Sequence, residues 1–288
     1  MAIRDKVKAD ILIQALPYIQ THFGKTIVVK YGGNAMINES LKEMVINDLI
    51  LLSCIGIKVV VVHGGGPQIN KYLGKFGKKC EFINGLRVTD DETMEVVQMV
   101  LDGKVNKEIV ALIDKNGGKA IGISGIDAGL LKAKKKVYRA DVDLGFVGDV
   151  TSVDEMVLIN CLKEGYIPVV STVALGEDDY KPYNINADYA ASKIAGKLKA
   201  DKLILLTDVP GVLRDFEDET SLISEIDIKD IHVLKKEGII KGGMIPKIQC
   251  CKQAIEEGVK RTHIIDGRVP HSILLEMFLD EGIGTMIN

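Results

Sequence analysis

The chain reads as an α/β protein, an αβα sandwich whose mostly parallel central sheet carries helices on both faces. Three observations predict this. The runs Ile27-Val28-Val29, Ile57 to Val62 and Lys202 to Leu206 are nearly continuously apolar, as in strands buried on both faces, and Tyr166 to Ser171 and Thr262 to Ile265 read as further strands. Between most of these runs lie stretches with apolar residues at helical spacing, the alternation that builds parallel sheets. Several strands also run out into glycines or charged residues, and ligands of such sheets bind beyond the carboxyl ends of the strands. With 288 residues, 47% of them hydrophobic, the chain can bury a large core as one compact unit with two lobes.

Residues 1–25 precede the first strand and form an amphipathic helix with Ile11, Leu12, Ala15, Leu16 and Ile19 apolar and Pro17 expected to kink it. Such a helix commonly lies on its own domain. Thr26 to Gly33 (T-I-V-V-K-Y-G-G) is a buried strand running into two glycines, with a lone Lys30 at its exit. Gly32 and Gly33 lack Cβ atoms where a backbone could approach an anion, and Lys30 supplies positive charge; alternatively Lys30 only snorkels from an ordinary turn. Asn38 caps a helix reaching about Cys54, presenting Leu41, Val45, Leu49 and Leu52. The next strand ends in His63-Gly64-Gly65-Gly66-Pro67, where His63 is either packed and hydrogen-bonded or catalytic. A dinucleotide fingerprint starting at Gly64 would need glycine at Ile69, and a P-loop ending in Gly24-Lys25-Thr26 would need it at Ile19. Both motifs are excluded.

Asn84-Gly85-Leu86-Arg87-Val88 is hairpin-like, with one arginine among apolar neighbours. Thr89 and Glu92 form a capping box for a long helix to about Asn116, and its Met94, Val97, Leu101, Val105 and Ile109 either face a second copy or are buried in the subunit. Ala120 to Ile123 is a short strand, and Lys132 to Val153 alternates weakly, an exposed hairpin whose Lys132 to Arg139 forms a solvated basic face. A helix from Asp154 to Glu164 stops at Gly165 before the strand to Ser171. Asn184, Asn186 and Asp188 open the helix Tyr189 to Leu198 and are ordinary capping types. After the strand Lys202 to Leu206 comes Thr207-Asp208-Val209-Pro210-Gly211-Val212, and Gly242-Gly243 leads into a helix with Lys247 in its first turn. A lysine there opposes the helix dipole unless an anion binds nearby. A strand at Thr262 to Ile265, a helix at Ser272 to Leu279 and a closing Thr285-Met286-Ile287 complete the chain.

Composition narrows the function. A net charge of -3 and the absence of a long Lys/Arg block argue against nucleic-acid binding. Charged residues crowd the first ten positions and no apolar run approaches the roughly 20 residues of a membrane span, so a cytoplasmic protein is expected. The five cysteines lack C-x-x-C spacing, which fits a reducing compartment and neither a disulfide framework nor a zinc site.

Six ordered motifs, V-V-K-Y-G-G, V-V-H-G-G-G-P, N-G-L-R-V-T, N-I-N-A-D, L-T-D-V-P-G-V and G-G-M-I-P-K, resemble the amino acid kinase family from Thr26 to the C-terminus. N-G-L-R-V-T and N-I-N-A-D favour its acetylglutamate kinase branch over kinases of aspartate, glutamate, carbamate or UMP. The resemblance implies an enzyme with the amino acid kinase fold that phosphorylates the γ-carboxylate of N-acetyl-L-glutamate with ATP in arginine biosynthesis. It assigns Lys30 and Lys247 as cations at the transferring group, Asp188 as their organiser, and Gly32, Gly33, Gly65 and Gly66 as backbone donors to the phosphoryl group and acceptor carboxylate. Arg87 would clamp the α-carboxylate, and Asn184 would bond the α-amide region. ATP would lie over Asp208, Val209, Pro210, Gly211, Val212 and Leu213 and over Ile239, Ile240 and Lys241, its Mg2+ held by phosphates and water and not by a protein metal site. Tyr31 stands where a small or apolar residue is expected.

The same resemblance divides the chain into a kinked helical extension (1–25), a lobe for acetylglutamate binding and dimerisation (26–199) and a lobe for ATP (200–288). An extension of this kind marks the arginine-sensitive, hexameric type, a trimer of dimers, with Tyr18, His271, Glu281 and Gly284 around the inhibitor arginine. Two rival readings are a nonenzymatic nucleotide or amino-acid sensor and a related kinase with a different acceptor.

Overall fold

The computed structural model describes residues 2–36, 38–138 and 142–288, so Arg139 of the basic run lies outside the described residues. In chain order come α1 (Ala2–His22), β1 (Thr26–Tyr31), α2 (Glu39–Cys54), β2 (Lys58–His63), α3 (Gly66–Lys75), β3 (Phe82–Ile83), β4 (Leu86–Arg87) and α4 (Asp91–Gln98). A π-helical stretch, Met99–Val105, joins α4 to α5 (Asn106–Lys115). There follow β5 (Ala120–Ser124), β6 (Leu131–Lys135), β7 (Gly148–Val153), α6 (Met156–Lys163), β8 (Ile167–Ser171), β9 (Val173–Gly176), β10 (Pro182–Asn184) and α7 (Ala187–Lys197). The last elements are β11 (Lys202–Thr207), β12 (Glu225–Ile226), α8 (Ile231–Lys236), α9 (Met244–Glu256), β13 (Arg261–Asp266), α10 (Ser272–Phe278) and β14 (Thr285–Ile287).

Eight strands form the main sheet in the order β12-β14-β13-β11-β1-β2-β8-β5, parallel from β13 to β5, with β14 antiparallel to β13. Neighbouring residues of each central strand feed opposite cores. Val28, Val60, Leu203 and Ile264 pack with Ile194 of α7 and Ile248 of α9, whereas Ile27, Val29, Val61 and Ile204 pack with Ile46 and Leu49 of α2. That two-sided burial is why β1, β2 and β11 are apolar at consecutive central positions, whereas β13 buries the polar Thr262 and His263 among its apolar residues. Tyr31 is fully buried in the second core, so its ring serves as packing.

Several sequence expectations are corrected. Leu131, Ala133 and Val150 of the expected exposed hairpin are buried, because β6 and β7 pair within a four-stranded sheet completed by β9 and β10. The cap of α4 is Asp90, whose carboxylate accepts from Thr93 N at 2.9 Å, because Thr89 is buried and its hydroxyl donates to Arg87 O at 2.8 Å. Glu92 does not fold back into a capping box, since Lys78 takes it at 2.8 Å. Met94, Val97, Leu101, Val105 and Ile109, offered as an interface, are all buried within the subunit; Met99 is the exposed large hydrophobic side chain of this helical run. Helix α1 runs through Pro17, packs its C-terminal part on α10, where Tyr18 meets Phe278 edge-on, and leaves Ile11, Leu12 and Leu16 exposed.

Candidate active site

The register places Lys30 at the penultimate position of β1, beside Val62 of β2 and Leu205 of β11, at the carboxyl end of the sheet. Its ammonium lies 2.9 Å from Asp188 Oδ1, and Lys247, in the first turn of α9, donates to Asp188 Oδ2 at 2.8 Å. One carboxylate thus holds two lysines that are distant in sequence. Asp188 is free for this because Asn186 caps α7, accepting from the N–H groups of Asp188 and Tyr189 at 3.0 and 3.2 Å. Burial pushes the Asp188 carboxyl up, but the charges and hydrogen bonds of Lys30 and Lys247 outweigh it and hold the group well below the usual carboxylate range.

The two glycine loops meet beside this triad. Gly64 N donates to Tyr31 O at 3.1 Å, and the Lys30 ammonium would lie 2.8 Å from a Cβ on Gly32. Gly33 has φ 66°, and a Cβ there would fall 2.6 Å from the Asp208 carboxylate, so both conformation and space require glycine. Gly65 precedes α3 with no side-chain cap, leaving backbone donors at a helix N-terminus.

Arg87 is buried at the β3–β4 hairpin, its guanidinium 4.6 Å above the centre of the Phe82 ring. Arg87 Nη2 donates to Asn70 Oδ1 at 2.5 Å and Gly66 O at 3.3 Å, while the buried Nη1 has no hydrogen-bond partner among the described residues. No carboxylate pairs with Arg87 among those residues either. A buried guanidinium left this way is suited to an incoming carboxylate. Asn184 Nδ2 donates to Thr89 Oγ1 at 3.2 Å, and Thr89 in turn bonds Arg87 O, so Arg87 and Asn184 belong to one assembly.

A cleft of about 700 Å³ opens on the other side of the triad. Lys30, Gly33 and Lys247 line its inner end, with Asp208 to Leu213, Ile239 and Lys241 along its walls. Ile240 instead turns into the core. The cleft also contains Arg268, bidentate on Asp266, and the exposed Phe216, neither of which the sequence reading singled out. Arg268 follows the end of β13, and the strand-end rule applied to that strand would have found it. Phe216 carried no such signal.

His63 is a satisfied core histidine: its Nδ1 lies 2.9 Å from Gly64 O and its Nε2 3.1 Å from Asn106 Nδ2. Its neighbour Asn106 was also missed, sitting inside what read as an unbroken helix.

A separate cavity of about 800 Å³ lies between the end of α1 and the turn before β14, with Tyr18, Glu281 and Gly284 on its lining. Tyr18 donates to Asp280 Oδ1 at 2.6 Å. The buried carboxylate here is Glu276, which accepts from Ile283 N and Gly284 N at 2.8 and 3.1 Å and meets His263 Nδ1 at 2.6 Å; Glu281 is exposed. Burial raises the Glu276 carboxyl, yet His263 and the two N–H groups hold it below its ordinary value. His271 is not among the lining residues and pairs instead with Asp48, 2.6 Å away.

Comparison with known proteins agrees with this geometry. The amino acid kinase family model matches residues 25–266. An acetylglutamate kinase from Clostridium beijerinckii is 62% identical over 97% of this chain and 98% of its own length. One from Heliobacterium modesticaldum is 57% identical over 97% of each chain. Among solved structures, N-acetylglutamate synthase from Neisseria gonorrhoeae complexed with coenzyme A and N-acetyl-glutamate aligns with a TM-score of 0.84 at 25% identity, covering 96% of this chain and 62% of that one. Carbamate kinase from Giardia lamblia bound to AMP-PNP shares the fold, with a TM-score of 0.65 at 21% identity over 92% of this chain and 98% of that one. The strand-end lysine, the two glycine loops and the full-length similarity together show that the chain belongs to the amino acid kinase family.

Proposed function

We propose that this chain is an enzyme that transfers the γ-phosphoryl group of ATP to the γ-carboxylate of N-acetyl-L-glutamate, forming N-acetyl-γ-glutamyl phosphate in arginine biosynthesis. The observation that carries this reading is the Lys30–Asp188–Lys247 triad, set between a nucleotide-sized cleft and a buried arginine that has no carboxylate partner among the described residues. A side-chain carboxyl with a reference pKa of about 4.3 is already ionised at neutral pH, so attack on phosphorus needs no general base. One acceptor oxygen bonds to the γ-phosphorus while the bond to the β,γ-bridging oxygen breaks and ADP departs. The obstacle is repulsion between anions, and the two ammonium groups with the backbone donors of Gly32, Gly33, Gly65 and Gly66 oppose it. Arg87 and Asn184 select the acceptor, and residues 208–213 and 239–241 hold the nucleotide. The Mg2+ that accompanies ATP would take its ligands from phosphate oxygens and water and would offset phosphate charge there. The chain accordingly divides into an acceptor lobe (26–199) and an ATP lobe (200–288). A sensor would not need both lysines and their organising carboxylate. ADP release measured with N-acetylglutamate, glutamate, aspartate and carbamate side by side tests the reading; faster turnover of free glutamate or aspartate rejects the acceptor.

Arginine inhibition and assembly into dimers and a trimer of dimers belong to the same proposal, as does a cytoplasmic location. Support comes from the exposed Ile11, Leu12 and Leu16 of α1, an apolar stripe available to a neighbouring subunit, and from the cavity joining Tyr18 to the 280–284 turn. A carboxylate there, buried Glu276 or exposed Glu281, suits a guanidinium. No helix among the described residues is long and apolar enough to cross a membrane.

A further inference from the structure

Beneath the triple-glycine loop runs a hydrogen-bonded chain whose direction is fixed by donor and acceptor chemistry. Val169 O can only accept, so the nitrogen of the Asn106 amide must face it, at 2.8 Å. The same nitrogen carries its second hydrogen to His63 Nε2 at 3.1 Å, while Asn106 Oδ1 accepts from Lys107 Nζ at 3.0 Å. With Nε2 accepting, His63 must hold its proton on Nδ1, which donates to Gly64 O at 2.9 Å. Burial pushes the ring down to about 4, further lowered by Lys107 against the opposing bond to Gly64, so it is neutral near pH 7.

This chain controls an atom of the proposed site. Every described peptide is trans, and in a trans peptide the C=O and N–H point in opposite directions. Tethering Gly64 O to the fully buried His63 therefore turns the Gly65 N–H away from the core, at the uncapped start of α3. From the other side the π-helical stretch braces the loop: Leu101 Cδ2 lies 2.6 Å and Val105 Cγ2 3.4 Å from where a Gly65 Cβ would stand. A π-helical winding is uncommon and often marks a functional position. Here it ends at Asn106, whose Oδ1 occupies the space a Cβ on Gly122 would fill.

We infer that His63 and Asn106 are positioning residues for phosphoryl transfer: Asn106 selects the His63 tautomer, and His63 aims the Gly65 N–H at the reacting groups. This rests on the phosphoryl-transfer reading of the glycine loop. Misplacement of a reacting contact by about 1 Å can cost about 100-fold, so His63→Leu should lower kcat by about 10- to 100-fold. KM for ATP should stay within about twofold, because neither His63 nor Gly64 to Gly66 lines the nucleotide cleft. His63→Asn, whose amide nitrogen takes the place of Nδ1, should recover most of the loss, and Asn106→Leu should fall between them.

The tautomer is read without any reaction, from imidazole 15N shifts of the intact protein. A proton on Nδ1 is expected; a proton on Nε2 would overturn the relay. A His63→Leu enzyme that melts earlier yet keeps wild-type kcat, measured well below its Tm, would show a purely structural role and also overturn it. If the wild-type protein releases no ADP with N-acetylglutamate, the proposed acceptor falls, while the tautomer measurement still decides whether the relay exists.

Discussion

Asp188→Asn removes one charge and almost no volume from the centre of the site. In the native arrangement the carboxylate lies 2.9 Å from one ammonium and 2.8 Å from the other, and it is well shielded from water. Two unit charges about 4 Å apart at an effective dielectric of about 20 interact by about 4 kcal/mol, so a neutral amide leaves Lys30 and Lys247 repelling each other on that scale. Removing one partner of a buried pair costs about 3–5 kcal/mol. The lysine side chains are 12% and 24% exposed and can relax toward water, which favours the lower end. A loss of about 3 kcal/mol corresponds to a Tm fall on the order of 10 °C in a chain of this size. Displacing both cations should reduce kcat by about 10³ or more, since one lost transition-state contact costs about 10² to 10³. Because the folded-state pKa of Asp188 lies below its ordinary 3.8, its stabilising effect is present above about pH 4 and fades as the pH falls further. The Tm gap between wild type and variant should therefore be constant above about pH 5 and narrow in more acidic buffer. The assays are coupled ADP release at 25 °C and thermal melts across that range. A variant that keeps kcat within about threefold and melts with the wild type would refute Asp188 as the organiser of the two lysines.

Lys30→Ala and Lys247→Ala should each lower kcat by about 10² or more, and an unchanged kcat in either would remove that lysine from the site. Arg87→Lys should mainly raise the KM for N-acetylglutamate, because an ammonium cannot reproduce the guanidinium fork; steady-state kinetics with saturating ATP decide it. Light scattering at micromolar concentration should find more than one subunit per particle, and a monomer would end the oligomer proposal. Arginine should inhibit the full chain, and a variant lacking residues 1–25 should be dimeric and markedly less sensitive; activity untouched by millimolar arginine would reject the regulatory reading even if a hexamer forms.

The alternation of apolar runs and helical stretches determined the fold class directly, because strands buried on both faces favour apolar residues at consecutive positions, as in Ile27 to Val29, Val59 to Val62 and Leu203 to Leu206. Lys30 was legible for the same reason, as a charge where such a strand should have none, and Lys247 because it opposes a helix dipole. What the local sequence could not decide was which partner each polar group would take. Asn184, Asn186 and Asp188 are equally good caps as residue types, and only packing shows that Asn186 caps α7 while Asp188 faces two lysines brought in from β1 and α9. The stripe on the long helix could be read as a subunit interface because periodicity measures amphipathicity and not what covers it; the fold buries that stripe within the chain. Asn106 carried no signal at all, since its role depends on a π-helical winding and on contacts with β2 and β8, 43 and 63 residues away. Strand identity and strand-end charges are thus properties of short segments, whereas pairing, capping and the bracing of the glycine loop are set by contacts that exist only after the sheet has assembled.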